Sequence, residues 1–290
     1  MTRVLVTGGN GQVGQSLADL ASDERFAALD ITVADRSTVD ITDRAGLDAV
    51  FDRVRPDVVI NAAAYTAVDA AETDESAAMA ANADGVASLA ALCSASDTRL
   101  LHLSTDYVFD GTKDGWYVES DLIAPLGVYG RTKAAGEAAA RTCPNHLILR
   151  TAWVYAAHGS NFVKTMLRVG AERPELGVVH DQIGCPTSAH DIAYALLRLA
   201  SLGATGTYHL AGADQASWYE FAVAIFAAAG LTPTVNAIGT ADYPTPAPRP
   251  ANSRLDSNAL AGVTAVRLPG WRDSLPGVVD AILSSEPPRI

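Results

Sequence analysis

The fold of this chain is decided near its start, where the sequence reads Val4-Leu5-Val6-Thr7-Gly8-Gly9-Asn10-Gly11-Gln12-Val13-Gly14. The first three residues predict a short apolar strand, and the helical spacing of Val13, Leu17 and Leu20 predicts a helix directly after the turn. A tight glycine turn between a strand and a helix points unpaired backbone N–H groups and the positive end of the helix dipole at one spot. That spot suits a pyrophosphate.

The three glycines of this turn have separate roles. Gly8 permits the turn, Gly11 lets a ligand approach the backbone, and Gly14 lets the helix pack closely on the strand. The spacing is G-x-x-G-x-x-G, and its place after the first strand favours a dinucleotide site over the alternative, a tight turn with no ligand. The predicted cofactor contacts in this turn are Gly8, Asn10, Gly11, Gln12, Val13 and Gly14.

Apolar strand patterns alternate with helical patterns through the first half of the chain. Strands are predicted at 31–34, 57–61, 100–103 and 147–149, and helices near 44–53, 73–95 and 128–142. The run 57–61 is apolar nearly throughout, as in a strand buried on both faces. This alternation predicts right-handed βαβ crossovers and an α/β fold, with a doubly wound, parallel, Rossmann-type sheet over residues 1–155.

The pattern changes beyond residue 155. Helices are predicted at 161–172, 188–201 and 217–229, but the strands between them are short. Residues 241–251 contain four prolines, which predict an extended loop without regular structure. Residues 156–290 are therefore expected to form mainly a smaller substrate-binding lobe, with some segments returning to the Rossmann domain. The substrate cleft is expected at the carboxyl ends of the strands.

The composition restricts the partners of the chain. Its formal net charge is −12, from 21 basic and 33 acidic side chains. Such a surface repels phosphate backbones and anionic lipid, so nucleic acid and membranes are not expected partners. No apolar run is expected to approach the ~18 residues that a membrane span needs. Cys93, Cys143 and Cys185 are far apart, which indicates a reduced, cytoplasmic protein without a disulfide framework or a zinc site.

Three strand ends are expected to meet at the cleft, at residues 8–14, 61–64 and 104–106. Tyr129 and Lys133 are four residues apart on a predicted helix, so both head groups can reach one point. An ammonium group close to a tyrosine lowers the tyrosine pKa and makes it a better acid–base group. Alone, the pair could be a surface tyrosine and a solvated lysine. Beside the glycine turn and the strand ending at residue 105, it favours a catalytic pair.

Asp35 and Arg36 end the second predicted strand, where dinucleotide folds contact the ribose of the adenosine. A carboxylate at this position favours NADH, and a guanidinium favours NADPH because it pairs with the 2′-phosphate. The adjacent opposite charges therefore predict that both NADH and NADPH are used. The alternative is that both side chains lie in a solvated loop.

Several strings of sequence carry a family resemblance. T-G-x-x-G-x-x-G at 7–14, N-A-A-A at 61–64 and Y-x-x-x-K at 129–133 resemble the extended short-chain dehydrogenase/reductases. Longer strings are similar to the dTDP-4-dehydrorhamnose reductase family, and they occupy residues 64–69, 104–111, 150–155, 181–187 and 249–255. The resemblance extends from residue 3 to about residue 275.

The resemblance implies the NAD(P)H-dependent reduction of the 4-keto group of dTDP-4-dehydro-L-rhamnose, the final step of nucleotide-activated rhamnose synthesis. Tyr129 would supply the proton, Lys133 would hold the nicotinamide ribose, and Thr105 would hydrogen-bond the reacting oxygen. The further expected cofactor contacts are Asp40, Ile41, Ala62, Ala63 and Ala64. The implied contacts to the dTDP-sugar are Thr105, Asp106, Tyr107, Val108, Trp153, Gln182 and Arg249.

Two other functions stay open. Nucleotide-sugar epimerases and dehydratases share this fold and the Tyr–Lys pair. In dehydratases, two acidic residues follow the threonine at the end of the strand. In this chain Thr105 is followed by Asp106 and then by Tyr107, so the second acid is missing and simple reduction fits better. A non-catalytic, reductase-like regulatory subunit is the alternative from another class, although its Tyr129 and Lys133 positions would be expected to degenerate.

Departures from the family also matter. Some members bind a metal between subunits through carboxylates, and this chain has Ser16 and His190 at the positions that correspond. No metal is therefore predicted, and a monomer or weak homodimer is expected. Trp153 also fits a core aromatic at a strand end. Asp69 and Glu72 are interpreted as a solvated helix start.

Overall fold

A parallel sheet forms the centre of the molecule. The computed structural model describes residues 1–285. Its strands are β1 (Thr2–Thr7), β2 (Leu29–Ala34), β3 (Val58–Asn61), β4 (Arg99–Thr105), β5 (His146–Thr151), β6 (Val154–Tyr155), β7 (Glu175–Val179), β8 (Ile183–Gly184), β9 (Thr187–Ser188), β10 (Gly206–His209), β11 (Ala216–Ser217), β12 (Thr234–Ile238) and β13 (Asn252–Ser253). Six of them make the central sheet in the order β10-β5-β4-β3-β1-β2, with every neighbouring pair parallel.

The helices occupy the segments between these strands. They are α1 (Gln12–Leu20), α2 (Arg44–Val54), α3 (Val68–Ala71), α4 (Glu75–Met79), α5 (Gly85–Ala95), α6 (Val128–Ala140), α7 (Phe162–Glu172), α8 (Ala189–Ala200), α9 (Trp218–Ala228), α10 (Asn258–Thr264) and α11 (Trp271–Ser285). A turn of π-helix, Ala80–Asp84, joins α4 to α5. The predicted helix over 73–95 is therefore interrupted by a change of helix type, whereas the other predicted elements are found with bounds shifted by a few residues.

The strand order places the cleft. β1 lies inside the sheet, so the chain passes to β2 on one side and then crosses back to β3 on the other. Loops leaving the carboxyl ends of β1 and β3 diverge at this switch point and leave a crevice, the usual ligand site of open α/β sheets. The predicted doubly wound, parallel α/β fold is confirmed.

The sheet is buried on both faces, because apolar side chains alternate along its strands. Val4 and Val6 of β1 pack with α1 and α8 on one face, whereas Leu5 packs with α2, α5 and α6 on the other. A further cluster joins α7, α9 and α11 around Phe221 and Trp271. Residues beyond 155 thus supply both this third cluster and, through β10 and α8, part of the central sheet and its cover.

One helix has the length and composition of a membrane span, which the sequence-based expectation had excluded. Glu75–Ala95 is continuous over 21 residues, with a mean hydropathy of 1.2 in its best window, of which 44% is buried. The acidic side chain at 84 does interrupt the apolar sequence, as expected, but the stretch is still long and apolar enough on average to match a span by length and composition alone. The helix packs against α2, α6 and β4, and core helices pass the same test.

Candidate active site

A cleft of about 1040 Å³ lies at the carboxyl ends of β1, β3, β4 and β5. Loops and helix ends from both halves of the chain form its wall. The sequence-predicted residues on this wall are Gly8, Asn10, Gly11, Gln12, Val13, Arg36, Asp40, Ile41, Ala62, Ala63, Ala64, Thr105, Asp106, Tyr107, Tyr129, Lys133 and Trp153. The structure therefore brings most of the predicted cofactor and substrate contacts into one cavity.

The glycine turn has the shape that a pyrophosphate needs. Gly8 has φ +79°, and a Cβ there would lie 2.5 Å from the Ala63 nitrogen, so only glycine lets β1 end so close to the loop after β3. A Cβ on Gly14 would lie 2.2 Å from the Gly8 oxygen. No side chain caps α1, and a Cβ on its N-cap Gly11 would fill the space beside the Gly8 oxygen, 3.2 Å away. These residues fit a dinucleotide.

Asn61 holds the second strand end in place. Its Oδ1 accepts from Thr7 Oγ1 at 2.7 Å and from the Ala63 backbone N–H at 3.1 Å, and its Nδ2 lies 3.0 Å from His102 Nδ1. The side chains of Asn61, Thr7 and His102 are all buried. This network ties β1, β3 and β4 together directly beneath the alanines of the cleft wall.

Tyr129 is partly buried at the cleft wall, and its pKa is raised to about 12 because desolvation of the hydroxyl disfavours the phenolate. A hydrogen bond with Thr105 opposes the rise, and the Asp106 charge adds to it. The Tyr107 ring meets the Tyr129 ring edge to face, with centroids 5.4 Å apart. Tyr129, Thr105 and Tyr107 therefore form one corner of the cleft.

Lys133 lies one helical turn after Tyr129, as the spacing predicted, and its Nζ donates to the Leu103 carbonyl oxygen at 2.7 Å. Burial lowers the pKa of Lys133 to about 8, and the Glu137 charge opposes this shift. The structure differs from the expectation that Lys133 depresses the Tyr129 pKa. Burial outweighs any such effect, and the ammonium group is turned toward Leu103.

A buried ion pair that the sequence did not reveal supports this corner. Glu137 accepts from Arg150 Nε at 2.7 Å and Nη2 at 2.8 Å, and from Ser104 Oγ at 2.7 Å. Glu137 and Arg150 are almost fully buried. Asp106 is also buried, which raises its pKa to about 6 against hydrogen bonds with Ser253 and Thr105.

Trp153 lies on the cleft wall with a backbone φ of +49°, a rare value for a residue with a side chain. Its indole stacks on Trp218 with centroids 3.5 Å apart and ring planes 4° apart. Gly184 makes room for it, because a Cβ there would lie 2.4 Å from the Trp153 ring. Trp153 is thus held as a flat wall of the cleft.

Five predicted residues lie outside the cleft wall. Gly14 is covered by the Gly8 backbone, in the packing role expected for it. The Asp35 carboxylate accepts from the Ser37 backbone N–H and hydroxyl at 3.0 and 2.7 Å, so its own turn engages it. The Val108 side chain is fully buried in a cluster with Phe109.

The other two, Gln182 and Arg249, contact residues that adjoin or support the substrate half of the cleft. Gln182 Nε2 donates to Thr240 Oγ1 at 3.0 Å, and its Oε1 accepts from Trp218 Nε1 at 3.2 Å, so Gln182 supports the tryptophan stack from behind. Arg249 pairs with Asp69 at 2.8 Å. Glu72 accepts from the Val128 backbone N–H at 2.8 Å. Asp69 lies in the first turn of α3 with 43% of its side chain exposed, as predicted for a solvated helix start, but both carboxylates also have partners that the sequence did not predict.

Sequence reasoning missed part of the wall. Some of these residues follow strands already predicted and could have been found from the rule that strand ends meet. Others come from α4, the π-helical turn and the segment before α7, where no pattern pointed to the cleft. The missed residues are Val39, Thr42, Tyr65, Thr66, Val68, Asp74, Ala77, Ala80, Ala81, Leu103, Thr151, Ala152, Val154, Gly159 and Ser160.

Ser16 and His190, which correspond to metal-binding carboxylates in some members of the family, make other contacts in this chain. Ser16 Oγ donates to the Gln12 carbonyl oxygen at 2.9 Å. His190 is half exposed, and its Nδ1 lies 4.0 Å from Asp191 Oδ1. Within residues 1–285, no three His, Cys, Asp or Glu side chains cluster as metal ligands would.

Comparison with known proteins places this site in a family. The family model described as RmlD substrate binding domain matches residues 1–284. The chain belongs to this family. A relative named dTDP-4-dehydrorhamnose reductase from Aggregatibacter actinomycetemcomitans is 45% identical over 291 residues, which cover 96% of this chain and 98% of that protein. The resemblance read from the sequence is confirmed.

Solved structures extend the likeness of this RmlD-family chain to its geometry. A dTDP-4-dehydrorhamnose reductase from Clostridium acetobutylicum matches with a TM-score of 0.93 at 37% identity, covering 97% of this chain and 100% of its own. The enzyme of the same name from Bacillus anthracis, solved in complex with NADP, has a TM-score of 0.91 at 36% identity and covers 96% and 99% of the two chains. The RmlD family thus includes a structure that holds a nicotinamide cofactor.

Proposed function

We propose that this chain catalyses the NAD(P)H-dependent reduction of the 4-keto group of dTDP-4-dehydro-L-rhamnose, giving dTDP-L-rhamnose. The observation that carries the proposal is the joint placement of Tyr129, Lys133 and Thr105 at one corner of a cleft whose other end is the uncapped glycine turn. The substrate is inferred from the names of the relatives, and the side chains of the site are suited to the reduction of a ketone.

The chemistry of the step follows from these side chains. A bound nicotinamide dinucleotide supplies the hydride that reduces the ketone carbon. Tyr129 donates a proton to the oxygen that becomes the alcohol, and its raised pKa keeps the hydroxyl protonated at neutral pH. Thr105 hydrogen-bonds the same oxygen as negative charge develops on it. Lys133 holds the nicotinamide ribose.

The remaining wall residues divide between the two ligands. We assign the dinucleotide to Gly8, Asn10 and the first turn of α1, with Ala62, Ala63 and Ala64 along the groove and Arg36, Asp40 and Ile41 at the adenosine end. We assign the sugar nucleotide to Asp106, Tyr107 and Trp153, with Arg249 at the edge of the cleft. We also propose a monomer or weak homodimer in the cytoplasm, with no metal.

The test is a coupled assay with purified protein, dTDP-4-dehydro-6-deoxy-sugar, a 3,5-epimerase and NADPH. We expect the reduced-nicotinamide absorbance to fall only when the sugar nucleotide is present. Tyr129→Phe should lower turnover by about 10²–10⁴-fold, because it removes the proton donor. Tyr155→Phe is the matched control, since Tyr155 is buried outside the cleft wall.

Three results would overturn the proposal. Wild-type protein that leaves NADPH unoxidised would favour a non-catalytic binding module. A Tyr129→Phe variant with near-full turnover would remove the assigned proton donor. Product that retains the keto group while the cofactor is recycled would favour an epimerase or dehydratase.

A further inference from the structure

The sugar-nucleotide end of the cleft is short of positive charge. A dTDP-sugar carries a diphosphate, and the chain as a whole has a net charge of −12, so local cations must offset the field. Among the described residues, the cations on the cleft wall are Arg36 and Lys133. Arg36 lies beside Asp40 at one end, and Lys133 is buried under Tyr129. Neither is left for the substrate diphosphate.

Arg249 is the cation next to this part of the wall. It lies in the proline-rich loop between the 3-10 turn at Thr240–Asp242 and β13, and 19% of its side chain is exposed. Burial raises the pKa of Tyr107, and the Arg249 charge opposes that rise, so the guanidinium lies within electrostatic reach of a wall residue.

Asp69 decides where the guanidinium points. Its Oδ2 accepts from Arg249 Nη2 at 2.8 Å, and its Oδ1 accepts from the Ala247 backbone N–H at 3.1 Å. Arg249 Nη1 donates back to the Ala247 carbonyl oxygen at 3.3 Å. Asp69 sits on α3, directly after Val68 of the cleft wall. One carboxylate therefore fixes both the loop and the arginine that the loop carries.

The Asp69–Arg249 contact does more than anchor the loop, because it also orients the guanidinium. The bond to the Ala247 N–H alone would anchor the loop, and a part-exposed ion pair adds little stability. The second carboxylate oxygen of Asp69 fixes the orientation of the Arg249 guanidinium. It engages Nη2, while Nε makes no hydrogen bond within the described residues. The fork therefore keeps donors for an oxyanion.

We propose that Asp69 is a positioning residue that holds Arg249 at the edge of the cleft, ready to bind the diphosphate of the sugar nucleotide. This proposal rests on the proposed function. Asp69 touches neither ligand itself; it acts through the guanidinium of Arg249.

Asp69→Asn tests the proposal with little change of shape. The amide oxygen can still accept from the Ala247 N–H, but the amide nitrogen cannot accept from Arg249. We expect KM for the sugar nucleotide to rise about tenfold with kcat within about twofold, because ground-state and transition-state binding of a remote group are lost together. The dissociation constant of dTDP, measured by titration calorimetry, should rise in parallel, and KM for NADPH should not change.

A double-mutant cycle separates positioning from loop anchoring. Arg249→Met should raise KM for the sugar nucleotide, and adding Asp69→Asn to it should have no further effect. Arg249→Lys should recover part of the affinity, because it keeps the charge without the fork. Asp181→Asn is the matched control, since Asp181 anchors the 3-10 turn from which this loop starts, through the Thr240 N–H at 2.9 Å, without touching an arginine.

The proposal is overturned if Asp69→Asn leaves KM and dTDP affinity unchanged, or if it weakens binding as much in the Arg249→Met background as alone. It is also overturned if Asp181→Asn reproduces the effect, because the loop alone would then explain it. The dTDP titration needs no turnover. Wild-type protein that binds dTDP but leaves NADPH unoxidised would therefore refute the proposed reaction and still allow the role of Asp69 to be judged.

Discussion

Burial sets the protonation of the two residues at the centre of the proposed chemistry. The pKa of Tyr129 is raised to about 12, so the hydroxyl is a proton donor throughout the neutral range. The pKa of Lys133 is lowered to about 8, so this side chain loses its charge just above neutral pH. The pH dependence of the reaction should therefore report on the lysine and not on the tyrosine.

Lys133→Met is the test of this assignment. In the wild type, kcat/KM for the nicotinamide cofactor should fall as pH rises through about 8. The reason is that deprotonation of Lys133 removes the charge that holds the cofactor ribose. The variant should be about a hundredfold less active through loss of orientation, and its profile should be flat across that pH. The measurement is a pH series of kcat/KM for both proteins.

Lys164→Met is the control for this comparison. Lys164 Nζ also donates to a carbonyl oxygen, that of Ala157 at 3.0 Å, but the residue lies outside the cleft wall. Its profile should match the wild type. A Lys133→Met profile that keeps the fall near pH 8 would contradict the assignment, because a group other than Lys133 would then be titrating.

Cofactor choice depends on Arg36 more directly than on Asp35. The Arg36 side chain is 84% exposed, pairs with Asp40 at 2.9 Å and lies on the cleft wall, whereas Asp35 is engaged by its own turn. We predict use of both cofactors, with less than about a tenfold difference in kcat/KM. Arg36→Ala should shift the ratio about tenfold toward NADH, because it removes the partner of the 2′-phosphate.

Steady-state kinetics with NADH and NADPH on wild type, Arg36→Ala and Asp35→Ala decide this question. A hundredfold preference in the wild type would refute dual use. Unchanged ratios in both variants would place the selecting residue elsewhere. A shift in Asp35→Ala alone would mean that the turn, through its Asn10 contact at 3.3 Å, sets the choice.

At the scale of elements, the π-helical turn Ala80–Asp84 joins two parts of the site. Asn82 is fully buried; its Oδ1 accepts from the Tyr65 N–H at 2.8 Å, and its Nδ2 donates to the Tyr65 oxygen at 3.1 Å and to Thr132 Oγ1 at 3.0 Å. Gly136 of α6 lets the turn approach, because a Cβ there would lie 2.0 Å from the Asn82 oxygen. One side chain thus connects the cofactor loop to the helix of Tyr129.

Asn82→Ala should therefore affect stability and cofactor binding together. It leaves two part-buried backbone groups of Tyr65 without their side-chain partner, at a cost of up to about 1–3 kcal/mol each. We expect a loss of about 3 kcal/mol in unfolding free energy by urea denaturation, with a higher KM for NADPH. Asn236→Ala is the control, because Asn236 makes an exposed bond to Glu175. An Asn82→Ala protein as stable as this control would contradict the account.

The elements also show what the sequence could predict. Val58–Asn61 was recognisable because a strand buried on both faces is apolar throughout. The π-helical turn was not, since residues 80–84 are mostly good helix formers and carry no local signal. The place of Gln182 behind Trp218 was also hidden, because it depends on packing between residues 36 apart in sequence.

At the scale of the whole molecule, buried histidines make stability depend on pH. His209 is fully buried at the end of β10, and burial, helped by the Arg150 charge, lowers its pKa to about 4. The unfolded chain therefore binds more protons between about pH 4 and the ordinary histidine value of about 6.5. Stability must rise with pH in this window and fall on acidification.

His209→Leu should reduce this dependence. From the unfolded-state value of ~6.5, the histidine should cost the wild type about 2 kcal/mol between pH ~7 and pH ~5, and the variant should not show that loss. Both ring nitrogens of His209 lack partners in the described part of the chain, so leucine leaves no bond broken. The measurement is urea unfolding at both pH values, with exposed His180→Leu as the control. Equal pH dependence in wild type and His209→Leu would refute the assignment.

The division into two lobes remains a proposal, and the sheet shows why sequence alone could not place it. β10 pairs with β5, and α8 covers the face beside α1, although both come from beyond residue 155. Short β10 carries little pattern of its own, so only the paired structure reveals that it completes the sheet. Residues 1–155 by themselves would expose the edge of β5 and the apolar face that α8 covers.

The stacked indoles of Trp153 and Trp218 have an optical consequence. Two rings in parallel contact share their excited states, so circular dichroism and emission of the pair respond to small changes in the ring geometry. Reduced nicotinamide absorbs in the range where indole emits, so cofactor binding should quench this light by energy transfer. The cleft thus carries its own unlabelled reporter of cofactor binding.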